Sequence, residues 1–167
     1  PLFQSEMYAD PLTTAVLLHA ALAVEGASVF VHNGFVSPPG DFESDDGSLV
    51  KLTEDDFVVG DTRHVMGHYA AHVEPGWRRV AADSDTDDLY ASAWISPAAD
   101  RLVIVLTNPS DAVVAVDLDT GGAVPEDTTV SRTVLGGVER SAQLGELSPE
   151  GVVVLPPESL VTVTLER

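Results

Sequence analysis

From Trp77 onward the sequence breaks into short apolar runs rich in Val, Thr, Leu and Ala, and no other feature restricts the fold as much. The runs are Trp77–Ala82, Leu89–Ile95, Arg101–Thr107, Ala112–Leu118, Thr128–Leu135, Gly151–Leu155 and Leu160–Leu165. Turn clusters such as Asn108-Pro109 and Asp119-Thr120-Gly121-Gly122 separate them. Short strands at even spacing predict an antiparallel β-sandwich over residues 77–167.

The first 76 residues have a different texture. Leu2 to Ser5 reads as a strand ending at Glu6. Asp10 and Pro11 then supply a helix N-cap and first helical residue. The apolar stretch from Ala15 to Val24, interrupted by His19, predicts a buried helix running to Glu25, with Gly26 as its stop. Ser28 to His32 is a second strand, so strand, helix and strand form a βαβ unit of a parallel sheet. Residues 33–60 read as a long loop with one short strand at Leu49–Leu52, and loops of that length tend to carry function. A second helix is expected from Asp61 to Val73, ended by Glu74-Pro75-Gly76. The fold class is therefore α/β followed by all-β, with the texture changing near Gly76.

Charge excludes several functions. Twenty-seven acids against eight bases give a net charge of −19, and Lys51 is the sole lysine. No basic patch is available to displace counterions from phosphates, so no nucleic-acid partner is expected. The acids are spread along the chain. This reads either as an acidic surface that keeps the protein soluble or as adaptation to molar salt, where screening over about 3 Å suppresses carboxylate repulsion. The scarcity of lysine favours salt adaptation. No apolar run reaches the roughly 18 residues that span a bilayer, so no membrane partner is expected. With no cysteine, disulfides and thiolate metal sites are excluded. No signal-peptide pattern stands at the N-terminus. The chain opens directly on a strand, as though cut from a longer protein.

The order of elements and several motifs resemble the C-terminal part of glycoside hydrolase family 30, which includes xylanases, β-1,6-glucanases and glucosylceramidases. The stretch Val65-Met66-Gly67-His68-Tyr69-Ala70-Ala71-His72-Val73-Glu74-Pro75-Gly76-Trp77-Arg78-Arg79-Val80 is similar to that family's last barrel helix, its exit and its first side-domain strand. Leu89–Trp94, Leu102–Ser110 and Ser159–Thr164 are similar to later strands of the side domain. The resemblance implies that residues 1–76 end a (β/α)8 barrel and that residues 77–167 form its β-sandwich side domain. It also implies a secreted, retaining glycosidase with Glu6 as nucleophile at the end of the seventh barrel strand. The partner acid/base would lie in an N-terminal part of the barrel outside this chain, so these residues alone would be inactive. The implied partner is a polysaccharide or oligosaccharide substrate, and no cofactor is implied.

The chain departs from the family at three places. His32 and Asn33 stand where a sugar-stacking tryptophan is usual, no arginine follows in the loop, and Glu74 replaces the arginine of the exit. The first two argue against a glucuronoxylanase.

Each candidate residue also has a plainer role. Glu6, by itself, is a strand-end carboxylate in solvent. His32 and Asn33 can hydrogen-bond sugar hydroxyls or simply satisfy each other's loop edge. Tyr8 either lines the cleft or is a surface tyrosine. His64, His68 and His72 share a helix face at i, i+4 spacing. They lack the glutamate of a zinc-protease helix, so a structural role is expected and no metal site. Asp83–Asp88 begins like a calcium loop but has Asp88 and Trp94 where Gly and Glu belong. The rival functions are an arabinan- or agar/galactan-active glycosidase and a non-catalytic carbohydrate-binding β-sandwich.

Overall fold

The structure is a computed structural model that describes residues 2–39, 47–121, 125 and 127–167. Packing divides the chain into Pro1–Gly67 and His68–Arg167.

In the first unit, β1 (Phe3–Met7) leads to α1 (Pro11–His19), and β2 (Val29–His32) pairs parallel to β1. Asp10 caps α1 by accepting a hydrogen bond from the Thr13 N–H at 2.9 Å, and Pro11 follows at the first helical position. Burial raises the Asp10 carboxyl, but the bonds from Thr13 outweigh it and hold the group below its ordinary range. Thr14, Ala15, Leu18, Ala21 and Ala23 form the buried stripe. The helix reaches the expected end but changes character. Ala20–Val24 is a π-helical turn, and the N–H groups of Glu25 and Ala27 donate to the carbonyls of Ala20 and Ala21. Gly26, at φ +72°, then takes the left-handed conformation that ends helices cheaply.

The predicted loop carries more order than one strand. β3 (Val36–Ser37), β4 (Val50–Leu52) and β5 (Phe57–Val59) form a three-stranded sheet with β3 parallel and β5 antiparallel to β4. The β4–β5 turn is closed from within: the Thr53 hydroxyl accepts from Asp56 N–H at 2.9 Å, and the Thr53 N–H donates to the Asp56 carbonyl. The expected strand at Leu49–Leu52 is present as β4, whereas β3 and β5, of two and three residues, are too short to show alternation and were missed. Residues 40–46 of this loop lie outside the described ones.

Helix α2 (Asp61–Ala70) stops three residues short of the expected Val73. The unit boundary runs through it. His68 hydrogen-bonds Thr162 and Thr133, and Tyr69 meets Trp94 edge-on at 5.4 Å, so the last turn belongs with the strands that follow.

The second unit contains β6 (Arg78–Val80), β7 (Tyr90–Ile95), β8 (Arg101–Asn108), β9 (Val114–Asp117), β10 (Asp127–Val134), β11 (Ala142–Gly145), β12 (Val152–Leu155) and β13 (Ser159–Glu166). Six strands form an antiparallel sheet in the order β11-β10-β13-β8-β7-β6, and β9 and β12 pair separately. One core joins the two sheets: Ala93, Ile104, Leu106, Val130, Val161 and Val163 face Val153 and Leu155 of β12, with Val114 and Val116 of β9 packed alongside. The opposite face of the large sheet is covered too, since Val103 and Val105 are fully buried. That explains why β8 reads as continuously apolar instead of alternating. Asn108 ties the end of β8 to the end of β12. Its side-chain amide donates to the carbonyls of Ala112 and Pro156 at 2.7 and 2.8 Å, and its oxygen accepts from Ser110. All seven predicted strands are present. The eighth, β11, is an exposed edge strand of Ala, Gln, Leu and Gly with no apolar alternation to announce it.

Candidate functional site

The four residues singled out in the sequence lie at the ends of β1 and β2, in the first unit. Parallel pairing matches Phe3 with Val29, Gln4 with Phe30 and Met7 with His32, and the register shifts between Gln4 and Met7. The shift occurs because Glu6 adopts φ +60°. A left-handed glutamate costs about 1–2 kcal/mol and re-aims the side chain out of strand alternation. The strand runs on to Met7, one residue past the expected end at Glu6. Glu6 is exposed, and its carboxylate makes no hydrogen bond or ion pair among the described residues.

Beyond the kink, Tyr8 and His32 stack with ring centroids 5.8 Å apart and planes 24° from parallel. The His32 Nε2 lies 2.7 Å from the Gly47 carbonyl. A carbonyl only accepts, so Nε2 carries the proton and donates. The His32 Nδ1 is buried without a hydrogen-bond partner among the described residues. Asn33 is exposed, and its backbone N–H donates to the Met7 carbonyl at 2.7 Å, extending the β1–β2 pairing by one bond. Thus Tyr8 and His32 touch, Asn33 adjoins them through the backbone, and Glu6 stands two residues before Tyr8.

Two glycines complete the site and were not among the sequence candidates. A Cβ at Gly34 would lie 2.5 and 2.6 Å from Cε2 and Cδ2 of Tyr8, and 3.1 Å from His32 Nε2. A Cβ at Gly47 would lie 2.9 and 3.1 Å from Cζ and Cε1 of Tyr8, and 2.8 Å from the Ala9 carbonyl. Nothing in a loop sequence marks a glycine as the wall of an aromatic ring; the clue exists only once Tyr8 is placed.

Within the histidine row, His68 has a structural role. The His68 ring meets the hydroxyls of Thr162 and Thr133, and no group of three or more metal-ligating side chains is assembled among the described residues. At Asp83–Asp88, the Ser84 hydroxyl bonds the Thr86 backbone in a local turn. Glu74 forms an ion pair with Arg101 at 3.5 Å, and the Arg101 guanidinium also sits 5.2 Å above the Trp77 ring. A cavity of about 880 Å3 opens in the second unit, lined by Val80, Ala82, Ala91, Ala93, Ile104 and Asp119 among others, and none of the four candidates borders it.

No protein-family model matches the sequence, and no curated protein matches it. Solved structures do. A family 30 subfamily 8 xylanase from Clostridium acetobutylicum superposes with a TM-score of 0.79 at 19% identity, over 99% of this chain and 42% of its own. A family 30 endoxylanase from Clostridium papyrosolvens gives 0.77 at 16% identity, over 99% and 42%. A family 86 glycoside hydrolase in complex with neoagarooctaose gives 0.65 at 11% identity, over 99% and 30%. The chain thus spans about two-fifths of the xylanases' length. Across nearly all its residues, the chain has the mostly-sheet fold of the C-terminal part of glycoside hydrolase family 30 xylanases, the family its motifs resemble.

Proposed function

We propose that this chain is the C-terminal part of a secreted, retaining glycoside hydrolase that cleaves β-glycosidic bonds in a polysaccharide. Residues 1–76 close a (β/α)8 barrel whose earlier strands lie elsewhere in a longer polypeptide, and residues 77–167 are its β-sandwich side domain. The observation that carries the reading is the kinked glutamate. Glu6 stands near the C-terminal end of a strand in a parallel β1-α1-β2 unit, where barrel enzymes build their active sites. Backbone strain of this kind concentrates at functional positions. The exposed apolar residues Phe3, Val29 and Val31 on the two-stranded parallel sheet fit further packing against the rest of a barrel.

In the proposed reaction the ionised Glu6 carboxylate attacks the anomeric carbon. A protonated carboxylic acid about 5 Å away, contributed by the missing portion, gives its proton to the departing glycosidic oxygen. Water, deprotonated by that same partner, then attacks the glycosyl ester and frees Glu6. Tyr8, His32 and Asn33 border the sugar, as flat surface and hydrogen-bonding groups.

The substrate is proposed to be a xylan or β-glucan. Agar-type galactan is the second reading, favoured by the likeness to the family 86 enzyme crystallised with neoagarooctaose. Reducing-sugar release by the full-length parent from xylan, β-1,3/1,6-glucan, galactan and agar tests both. Release from xylan or β-glucan supports the first reading, and release from galactan or agar alone supports the second. Silence on the whole panel would leave a carbohydrate-binding module instead.

The acidic surface is proposed to be a salt adaptation. Urea unfolding should show stability rising between 0.1 M and about 1 M KCl, as the Debye length contracts from about 10 to 3 Å. Equal midpoints at the two concentrations would remove the idea.

A further inference from the structure

We propose that Gly34 and Gly47 are specificity-determining positioning residues, whose lack of side chains sets where the Tyr8 ring stands beside Glu6. The inference rests on the glycosidase reading and adds two residues to it.

The argument is steric. Tyr8 presents its Cδ2–Cε2 edge to Gly34 and its Cε1–Cζ edge to Gly47, at distances where a Cβ has no room. One face of the ring lies against His32. His32 is itself pinned, because its Nε2–H donates to the Gly47 carbonyl. Gly47 therefore fixes both rings, one by contact and the other by a hydrogen bond. Tyr8 nonetheless remains 50% exposed. The result is a flat apolar surface held on two edges and one face, two residues from the kinked Glu6. An aromatic surface already immobilised costs little entropy when a pyranose ring stacks on it, so its position decides which sugar registers with the carboxylate.

A methyl group at Gly34 must push the ring aside, because its nearest atoms are Cε2 and Cδ2 of Tyr8, whereas one at Gly47 meets the Ala9 carbonyl oxygen at 2.8 Å as well as the ring. Gly60 donates to the Leu49 carbonyl just after Gly47, and Leu49 donates to the Gly34 carbonyl. At Gly34 the ring is the part free to turn, and at Gly47 the ring and the Ala9 backbone must both give.

The test uses the full-length parent on its best substrate. Gly34→Ala and Gly47→Ala should each raise KM about tenfold with kcat within about twofold, as loss of one aromatic contact implies. In a Tyr8→Ala background, where no ring remains to displace, Gly34→Ala should add less than about twofold. Fluorotyrosine labelling gives a reading without turnover: the Tyr8 resonance, assigned through Tyr8→Phe, should shift in both glycine variants. An unmoved resonance, or an equal KM penalty with and without the Tyr8 ring, overturns the cradle while leaving the glycosidase intact. Inactivity of the parent on every substrate overturns the glycosidase reading, and the role in specificity with it.

Discussion

Glu6→Gln in the full-length parent is expected to lower kcat by about 10^4-fold, the scale on which removal of a covalent nucleophile is felt, with KM nearly unchanged. The amide matches the carboxylate in size and keeps hydrogen-bonding capacity, so binding survives while the attacking charge is lost. Glu6→Gly opens a second arm. With the side chain gone, added azide can occupy the space and attack the anomeric carbon directly, forming a carbon–nitrogen bond as the aglycone leaves. Rate recovery with azide, together with a glycosyl azide of inverted configuration, identifies the lost group as the nucleophile. The strain at φ +60° adds a consequence that runs the other way. Glycine adopts that conformation freely, so Glu6→Gly should stabilise the protein by about 1 kcal/mol in urea while abolishing unassisted activity. Loss of function with gain of stability marks a residue kept for chemistry. Near-parental turnover in Glu6→Gln would place the nucleophile elsewhere and show the strand register to be misassigned.

What the sequence revealed depended on how local each signal was. The β1-α1-β2 unit was legible because its punctuation is short-range: Asp10 capping through Thr13, Pro11 at the first helical position, and Gly26 in the left-handed stop. The strands β6–β10, β12 and β13 were legible because each falls within a run of five or more residues rich in apolar side chains between turn clusters, continuous where both faces are covered, as in β8. Strands β3 and β5 were too short for periodicity, unlike the expected β4, and β11 lies on an edge where nothing requires alternation. The early end of α2 was hidden for another reason: its last turn is held by side chains some 65 to 94 residues distant. At the candidate site, Glu6, Tyr8, His32 and Asn33 were singled out by family resemblance and strand-end position. Gly34 and Gly47 matter only through the place of the Tyr8 ring, and the kink at Glu6 is a backbone property that a glutamate does not announce.

His68→Ala is expected to cost about 3 kcal/mol of folding stability, because it leaves a buried cavity and removes one ring hydrogen bond from each of the Thr162 and Thr133 hydroxyls. The ring is 2% exposed, and its hydrogen bonds can be ordered atom by atom. The Thr162 hydroxyl reaches the His68 backbone carbonyl at 3.3 Å, and a carbonyl can only accept, so Thr162 spends its proton there. The 2.7 Å contact between Nδ1 and Thr162 Oγ1 must then be donated by Nδ1–H. A neutral ring leaves Nε2 as acceptor, filled by the Thr133 hydroxyl at 2.9 Å. Thr133 in turn accepts the Ser141 N–H at 2.9 Å, where Ser141 holds φ +52° at the start of β11. One proton serves each contact in turn, running from β11 through β10 and the end of α2 to β13. Nitrogen chemical shifts of His68 should report a neutral ring protonated at Nδ1. Asparagine can copy the Nδ1 donor but not the reach to Thr133, so His68→Asn should recover about half of the loss. Pairing His68→Ala with Thr133→Val should cost less than the two changes summed, because the His68–Thr133 hydrogen bond is lost once in the double variant but counted in both single ones. A cost below about 1 kcal/mol for His68→Ala would mean that the circuit does not hold the end of α2 to the sheet.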